Sequence, residues 1–599
     1  MSRQSDTTFA LSHRVDFGEA LTPPEGYRLE AALGTTFSMD FLTALTVPVS
    51  LALRSGVQRD ELLASPLAAL AAMRRLEDRV AICVEAGNIH APGGKRTPLV
   101  TLLEGMVTEI APPKGASFHP KLWLLRFAPE AGGPMRQRLI IMSRNLTRDR
   151  SRDVALRLEG EEQDKRQQVN APLVGLVDWL GFRRTKPLKG LRDGLDHVKW
   201  ENIPGFARPL FHAHYPETRA LWRPGAGRMA VISPFCDDGG LAMLEPGRIC
   251  ALVACDDWLA GLSTRPVRCL TLGDHGLPEP DPEAVATPED RAGLHAKLFI
   301  VEEGDQTRIT LGSGNATAAG LGANGPRNVE IFVTLRGETA TVGGIGGDGN
   351  PGILGEEGLG PLMQDWTPRE LQSEEKAARD FDRAVRDARH AIFAARPELT
   401  FAPVEERLTV SLAMTLPPLP GIFSVSARLV TQTDPVQISG EGPWSLTSVS
   451  LANATTFVQF DLSGPDGATA AFVTKIDAEG LPAGDARLEA LLSDMVKTPE
   501  QLLAFVAAML ERQPDIDGMM RATADGAASG QSRAPAPPVL ETLLAAYLSE
   551  DGAARIKDLD RVVGLMKLDE KEETMAAFLR LWAEFKAAIG PKRRGRKVA

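Results

Sequence analysis

At 599 residues, with 43% hydrophobic and 24% charged side chains, the chain is too long for one core, and three or more domains are expected. A net charge of −11 excludes a generally basic surface that coats nucleic acid, so any nucleic-acid contact must be local. Five cysteines without C-x-x-C spacing read as reduced core residues of a cytoplasmic protein. No signal-peptide core and no membrane-length window occurs (residues 42–53 come closest and are too short), so no stable membrane association is expected.

After an N-terminal extension, 1–27, the run 28–37 (RLEAALGTTF) is apolar and breaks into a helix-like stretch, 39–53. A short β-branched run, 79–84, follows. Then come Phe118-His119-Pro120-Lys121-Leu122-Trp123, the run 138–142, Ser143-Arg144-Asn145-Leu146-Thr147, and a closing strand, 153–158. The same order returns: 228–235, 239–244 and 248–253, then Leu294-His295-Ala296-Lys297-Leu298-Phe299 and 308–311. Gly312-Ser313-Gly314-Asn315-Ala316-Thr317 and a closing strand, 328–335, complete it. Apolar runs of this length bounded by turn residues read as buried strands, and strands alternating with helical stretches give a layered α/β lobe. The chain therefore reads as an internal duplication, two similar α/β lobes (28–215 and 216–342) about a pseudo-twofold axis. One H-x-K is close to chance in a chain with nine histidines. Two copies, each followed by S-x-N-x-T, are not.

These paired segments resemble the phospholipase D superfamily, whose motif runs H-x-K, four residues, Asp, then G-S-x-N. Its members include phospholipases, phosphatidyl-transferring synthases, tyrosyl-DNA phosphodiesterases and bacterial nucleases of restriction and defence. The resemblance covers roughly residues 28–340. Seven residues after His295 stands Glu302, but seven after His119 stands Arg126, and Met142 replaces the glycine before Ser143. The first interval is also longer, 24 residues from His119 to Ser143 against 18 from His295 to Ser313. The first copy is the degenerate one.

The residue types fit phosphoryl chemistry. Lys121 and Lys297 supply positive charge to a phosphodiester oxyanion, and Asn145 and Asn315 supply neutral donors. Ser143 and Ser313 can donate or accept in the same shell. One histidine attacks phosphorus to give a phosphohistidine, while the other protonates the leaving oxygen and then activates water. The residues leave the order open; the resemblance implies that His119 is the nucleophile. Each histidine needs a carboxylate to fix its tautomer, and Asp153 and Glu330 stand at matching places in the closing strands. No metal and no cofactor is expected. Arg144, Arg148, Arg150 and Arg152 are expected at the mouth, on substrate phosphates.

The chain thus reads as a metal-independent phosphodiesterase, foremost a nuclease that cleaves DNA through a covalent phosphohistidine within a prokaryotic antiviral defence or restriction system. A helicase or other defence proteins would be its partners. The alternatives are a phospholipid hydrolase or transferase, and a catalytically silent nucleic-acid or partner-binding component. Two further clusters read as structural: His212-Ala213-His214 lacks further metal ligands, and Asp237-Asp238-Gly239-Gly240 is explained by a turn.

Beyond the lobes, 343–400 reads as a flexible Gly-rich loop (343–360) and a charged connecting helix. That helix opens on the capping box Thr367-Pro368-Arg369-Glu370 and runs to about residue 395. In 401–482 the period changes to two, with Leu408, Val410, Leu412 and Met414 alternating, which predicts a small antiparallel β module. A helical segment (483–524, from Asp485), a disordered Gly/Ser/Ala/Pro linker (525–538) and a helical C-terminal region with a basic tail (539–599) complete the chain.

Overall fold

The computed structural model describes residues 9, 17–52, 70, 73–74, 76–90, 96–147, 151–181, 185–273, 293–322, 325–347, 351–482, 484–496, 498–510, 539–548, 552–566 and 573–589. The linker 525–538 and the basic tail lie outside them.

The first lobe is a seven-stranded mixed sheet of β1 (Tyr27–Thr36), β2 (Val80–Glu85), β3 (Val107–Ile110), β4 (Leu122–Pro129), β5 (Arg136–Met142), β6 (Ala155–Glu162) and β7 (Val198–Trp200). Its order is β3-β2-β1-β4-β5-β6-β7. The second is an eight-stranded sheet of β8 (Leu210–His214), β9 (Arg228–Ile232), β10 (Ile249–Val253), β11 (Cys269–Leu272), β12 (Leu298–Glu303), β13 (Gln306–Gly312), β14 (Glu330–Glu338) and β15 (Met363–Asp365). Its order is β8-β14-β13-β12-β9-β10-β11-β15. In both, the first motif strand pairs in parallel with the next strand and antiparallel with the H-x-K strand, and the last strands follow as an antiparallel meander. The duplication is real at the level of hydrogen-bonded order.

Strand alternation decides how the lobes meet. Leu33, Leu122 and Leu124 join Ile232, Leu298 and Ile300 in one core shared by the two sheets. Their neighbours face outward: Ala32, Trp123 and Leu125 into a core with helix Phe41–Ala52, Phe299 and Val301 into a separate core of the second lobe. Gly34 admits the Trp123 ring, since a Cβ there would lie 2.5 Å from it.

Several boundaries differ from expectation. β8 lies within 28–215 but is an edge strand of the second sheet, because it pairs with β14. β15 extends that sheet past residue 342. The Gly-rich segment is not a free connection where it is described: Ile345 and Ile353 are buried in the shared core, and the Ile345 amide donates to Glu302. The connecting helix is Ser373–Ala394, capped by Gln372 and Glu375 rather than at Thr367, because Arg369 is drawn away to Asp256 and Glu375. The predicted stretch from Asp485 is two helices, Gly484–Met495 and Pro499–Leu510. Together with helices 539–548, 552–565 and 573–589, they pack on the outer core of the first lobe.

The β module holds two sheets over one core, and it is neither wholly antiparallel nor separate. Glu398–Val404 pairs in parallel with Asp477–Glu479, and Ile89 of the first lobe pairs with Val473 of the module. Two carboxylates, Glu104 buried and Glu109 partly buried, fasten this junction. Glu104 accepts from Thr455 Oγ1 (2.7 Å), the Thr456 amide (2.9 Å) and Arg487 (2.7 Å). Glu109 accepts from the amides of Gly87 (2.7 Å) and Lys475 (2.7 Å) and from Thr474 Oγ1 (2.8 Å).

Burial pushes the Glu109 carboxyl up to about 7 against these hydrogen bonds. A raised folded-state value stabilises fully below the ordinary 4.5 and is lost as pH rises through about 7. The wild type should therefore lose up to about 3 kcal/mol between roughly pH 5 and pH 8 that Glu109→Gln does not lose. Denaturant midpoints across that range check this; parallel curves would place the titrating group elsewhere.

Candidate active site

The same local device presents each motif. Residues two apart on an extended segment share a side, so His119 with Lys121, and His295 with Lys297, stand together just before β4 and β12. All four are buried, 1–3% exposed. Ser143 and Ser313 then clip the end of one strand to the closing strand. The Ser143 amide donates to Val154 O (2.9 Å) and Oγ accepts from Val154 N (3.0 Å). Ser313 repeats this with Ile331, at 2.9 Å and 3.0 Å.

The asparagine turns are anchored by two hydroxyls that sequence reasoning missed. Thr36 Oγ1 accepts from the Leu146 amide (3.0 Å) and donates to Ser38 O (2.7 Å). Ser233 Oγ accepts from the Ala316 amide (2.8 Å) and donates to Phe235 O (2.6 Å). Their signal, a hydroxyl closing the first strand of each lobe, emerges only once the two sheets are aligned. Ser233 Oγ also lies 3.5 Å from Asn315 Oδ1. Asn145 and Asn315 are both buried.

The lobes cross-brace each other's motifs. The His119 amide donates to Val329 O of the second lobe (2.9 Å), and the His295 and Ala296 amides donate to Arg152 O of the first (2.9 Å each). The carboxylates cross as well: Glu330 Oε2 lies 3.0 Å from His119 Nδ1, and Asp153 Oδ1 lies 3.9 Å from His295 Nδ1. Each histidine thus faces the acid of the other half at the lobe interface.

The halves are not equivalent. Glu330 is fully buried, accepting also from Ser313 Oγ and from Asn328 Nδ2 (3.0 Å). Burial raises its carboxyl, but the charge and hydrogen bond of His119, with Lys121 and the Ser313 hydroxyl, outweigh burial and hold it below the ordinary glutamate value. When His119 is neutral and gives Nδ1–H to Glu330, its lone pair is at Nε2, which Lys121 Nζ approaches to 2.7 Å. In the other half Asp153 is 18% exposed in its side chain and accepts from Ser143 Oγ (3.3 Å), while Lys297 Nζ donates to His295 O (2.9 Å). Phe37 packs edge-on to His119 at 5.1 Å and beneath Lys121 Nζ at 5.6 Å.

The arginine run is only partly described. Arg144 closes its turn on Thr147 O (3.0 Å), Arg152 serves the second motif through its carbonyl, and Arg148 and Arg150 lie outside the described residues. At the two family acid positions the side chains are structural: Arg126 pairs with Glu162 (2.7 Å) and Glu302 with Arg228 (3.0 Å). His214 Nε2 accepts from the Trp222 amide (2.8 Å), and burial lowers its pKa to about 4. Asp237 is more than a turn residue: it caps helix Asp238–Leu244 and accepts from the Ala318 amide (2.9 Å). Among the described residues no three His, Cys, Asp or Glu side chains form a group that could hold a metal ion, and no helix is long and apolar enough to cross a membrane.

Fold and contacts define a two-lobed α/β protein whose two buried His–Lys pairs each meet a carboxylate of the other lobe. No family model and no curated protein matches the sequence. Solved structures similar to it include the yeast tyrosyl-DNA phosphodiesterase, at 11% identity and TM-score 0.33 over 56% of this chain and 88% of that chain. Polyphosphate kinase from Porphyromonas gingivalis matches at 14% identity and TM-score 0.26, over 53% of this chain and 44% of that chain. Both proteins are phospholipase D superfamily members, the family that the paired motifs resemble. Likeness at these TM-scores carries no conclusion about chemistry, which rests on this chain's own residues.

Proposed function

We propose that the protein is a metal-independent phosphodiesterase of phospholipase D type that cleaves DNA through a covalent phosphohistidine. The observation that carries this is the crossed pairing: two buried His–Lys pairs, each histidine facing a carboxylate of the other lobe, converge on one interface. His119 is the nucleophile in this reading: Glu330 holds Nδ1 and leaves Nε2, which Lys121 Nζ contacts at 2.7 Å, to attack once that ammonium turns to a phosphoryl oxygen. Nε2 attacks phosphorus, the bond to the leaving oxygen breaks, and His295 gives that oxygen a proton. Water, deprotonated by His295, then breaks the P–N bond. Lys121, Lys297, Asn145 and Asn315 hold the phosphoryl oxygens. Ser143 and Ser313 fix the carboxylates, and Arg144, Arg148 and Arg150 meet the flanking phosphates.

A place in a prokaryotic defence or restriction system, beside a helicase or other proteins of that system, is the further part of the proposal. The β module and C-terminal helices appended to the lobes support it. Incubating pure protein with single-stranded DNA, duplex DNA, RNA and phosphatidylcholine, each in EDTA, tests the whole. DNA cleavage that survives chelation is expected; cleavage only with added metal, or phospholipid turnover alone, would overturn it.

A further inference from the structure

The connecting helix Ser373–Ala394 crosses from one lobe to the other at the end of the sheets that carries the site. Its apolar side belongs to the β module: Ala388 and Ile392 are buried in that core with Val385 against it, Phe381 packs over Gly464, and Ala384 packs over Gly421. At 100° per residue, Arg379, Arg383, Arg386 and His390 fall on the opposite side. The two outer members of this row are anchored. Arg379 pairs with Asp257 (2.8 Å) and lies 4.5 Å from the Trp258 ring centre, just past β10 of the second lobe. His390 lies 3.5 Å from Glu85 at the end of β2 of the first lobe, and neighbouring Arg389 bonds Asn88.

These anchors are equivalent turns. Thr35 pairs with Cys83 and Leu122 in the first lobe as Ile232 pairs with Val253 and Leu298 in the second, so Asn88 and Trp258 occupy matching places. The helix therefore spans the pseudo-twofold axis. The first anchor also touches the motif: Glu85 Oε2 accepts from the Phe118 amide (2.6 Å), one residue before His119.

Between the anchors stand Arg383 and Arg386, on the face turned to the lobes, yet their side chains remain 64% and 49% exposed. Both guanidinium groups therefore reach solvent. Among the described residues they pair with Asp380 (3.2 Å) and Asp387 (3.8 Å), both exposed, and such pairs hold a guanidinium weakly.

We propose that this helix roofs the site and that Arg383 and Arg386 bind backbone phosphates of a single nucleic-acid strand lying beneath it. The proposal rests on the reading of the site as a DNA phosphodiesterase and specifies its substrate form. On this proposal a helix tied down on both lobes would admit a strand and exclude the wider duplex, and guanidinium groups suit phosphate oxygens.

The test uses full-length protein, a fluorescein-labelled oligothymidylate, the matching duplex, and bis(p-nitrophenyl) phosphate. Wild type should bind the single strand at least tenfold more tightly than the duplex by anisotropy. Arg383→Glu/Arg386→Glu should weaken single-strand binding at least tenfold while turning over the small diester at the wild-type rate. Arg383→Gln/Arg386→Gln, which keeps the helix without reversing charge, should lower the log–log salt slope by about 1.4, two single-strand phosphate contacts. Unchanged single-strand affinity in both variants, or equal wild-type affinity for duplex, overturns the roof. Loss of small-diester turnover in the wild type would instead tell against the phosphodiesterase reading, and the binding measurements would still decide the roof.

Discussion

Alanine at either His119 or His295 is expected to lower phosphodiester turnover by about 10³-fold or more, and the double variant to be no slower than the worse single one. The two rings sit against crossed carboxylates at the lobe interface, and in the proposed reaction both serve one phosphorus, so either loss breaks the same sequence of steps. The variants differ in what accumulates. His119→Ala should form no acid-labile phosphoryl-enzyme. His295→Ala should trap it when the leaving group is a good one, such as p-nitrophenol, because attack then needs no proton donor while hydrolysis still lacks its base. Quenched-flow trapping with a labelled diester reads this directly. Full activity in both variants would show the centre to be vestigial.

Removing the Glu330 carboxylate should have the largest effect on stability. Glu330→Ala leaves Lys121 and the His119 ring buried without their counter-charge and strips the acceptor from Ser313 and Asn328, a change that costs about 3–5 kcal/mol when one partner of a buried ion pair is lost. Thermal and denaturant unfolding of the lobes should register this. The pH dependence has a definite sign. The folded-state carboxyl is held below its ordinary value of 4.5, so its stabilisation is complete above that value and is lost as pH falls beneath it. Acid titration of wild type should show this loss, and Glu330→Gln should not. An Ala variant as stable as wild type would mean that the His119–Glu330 contact contributes nothing.

The opposite pH trend belongs to Glu109, whose raised value makes stability fall as pH rises from its ordinary 4.5 through about 7. Both are glutamates held by several donors. Glu330 lies against His119 and Lys121, whereas neutral amide and hydroxyl groups donate to Glu109. Sequence does not distinguish them, because the distinction lies in partners 211 residues away for Glu330 and 22 to 366 away for Glu109.

What the sequence determined by itself was whatever is written locally. The β-branched runs and their alternation define the strands, since a side chain every second residue must face a core. The spacing within H-x-K puts imidazole and ammonium on one side, and the repeated order of runs reveals the duplication. Tertiary structure alone decided the rest. The exchange of Asp153 and Glu330 between lobes follows from two sheets packed face to face, a relation that no segment carries. The capping box at Thr367 failed for the same reason: Arg369 is drawn to Asp256, 113 residues away, and the helix starts later. The Gly-rich loop reads as loose because glycine lacks side-chain contacts, yet Ile345 and Ile353 find a core that only the folded second lobe supplies. The connecting helix carries its charges in plain view in the sequence, but whether an arginine anchors a lobe or faces open space depends on what lies opposite it.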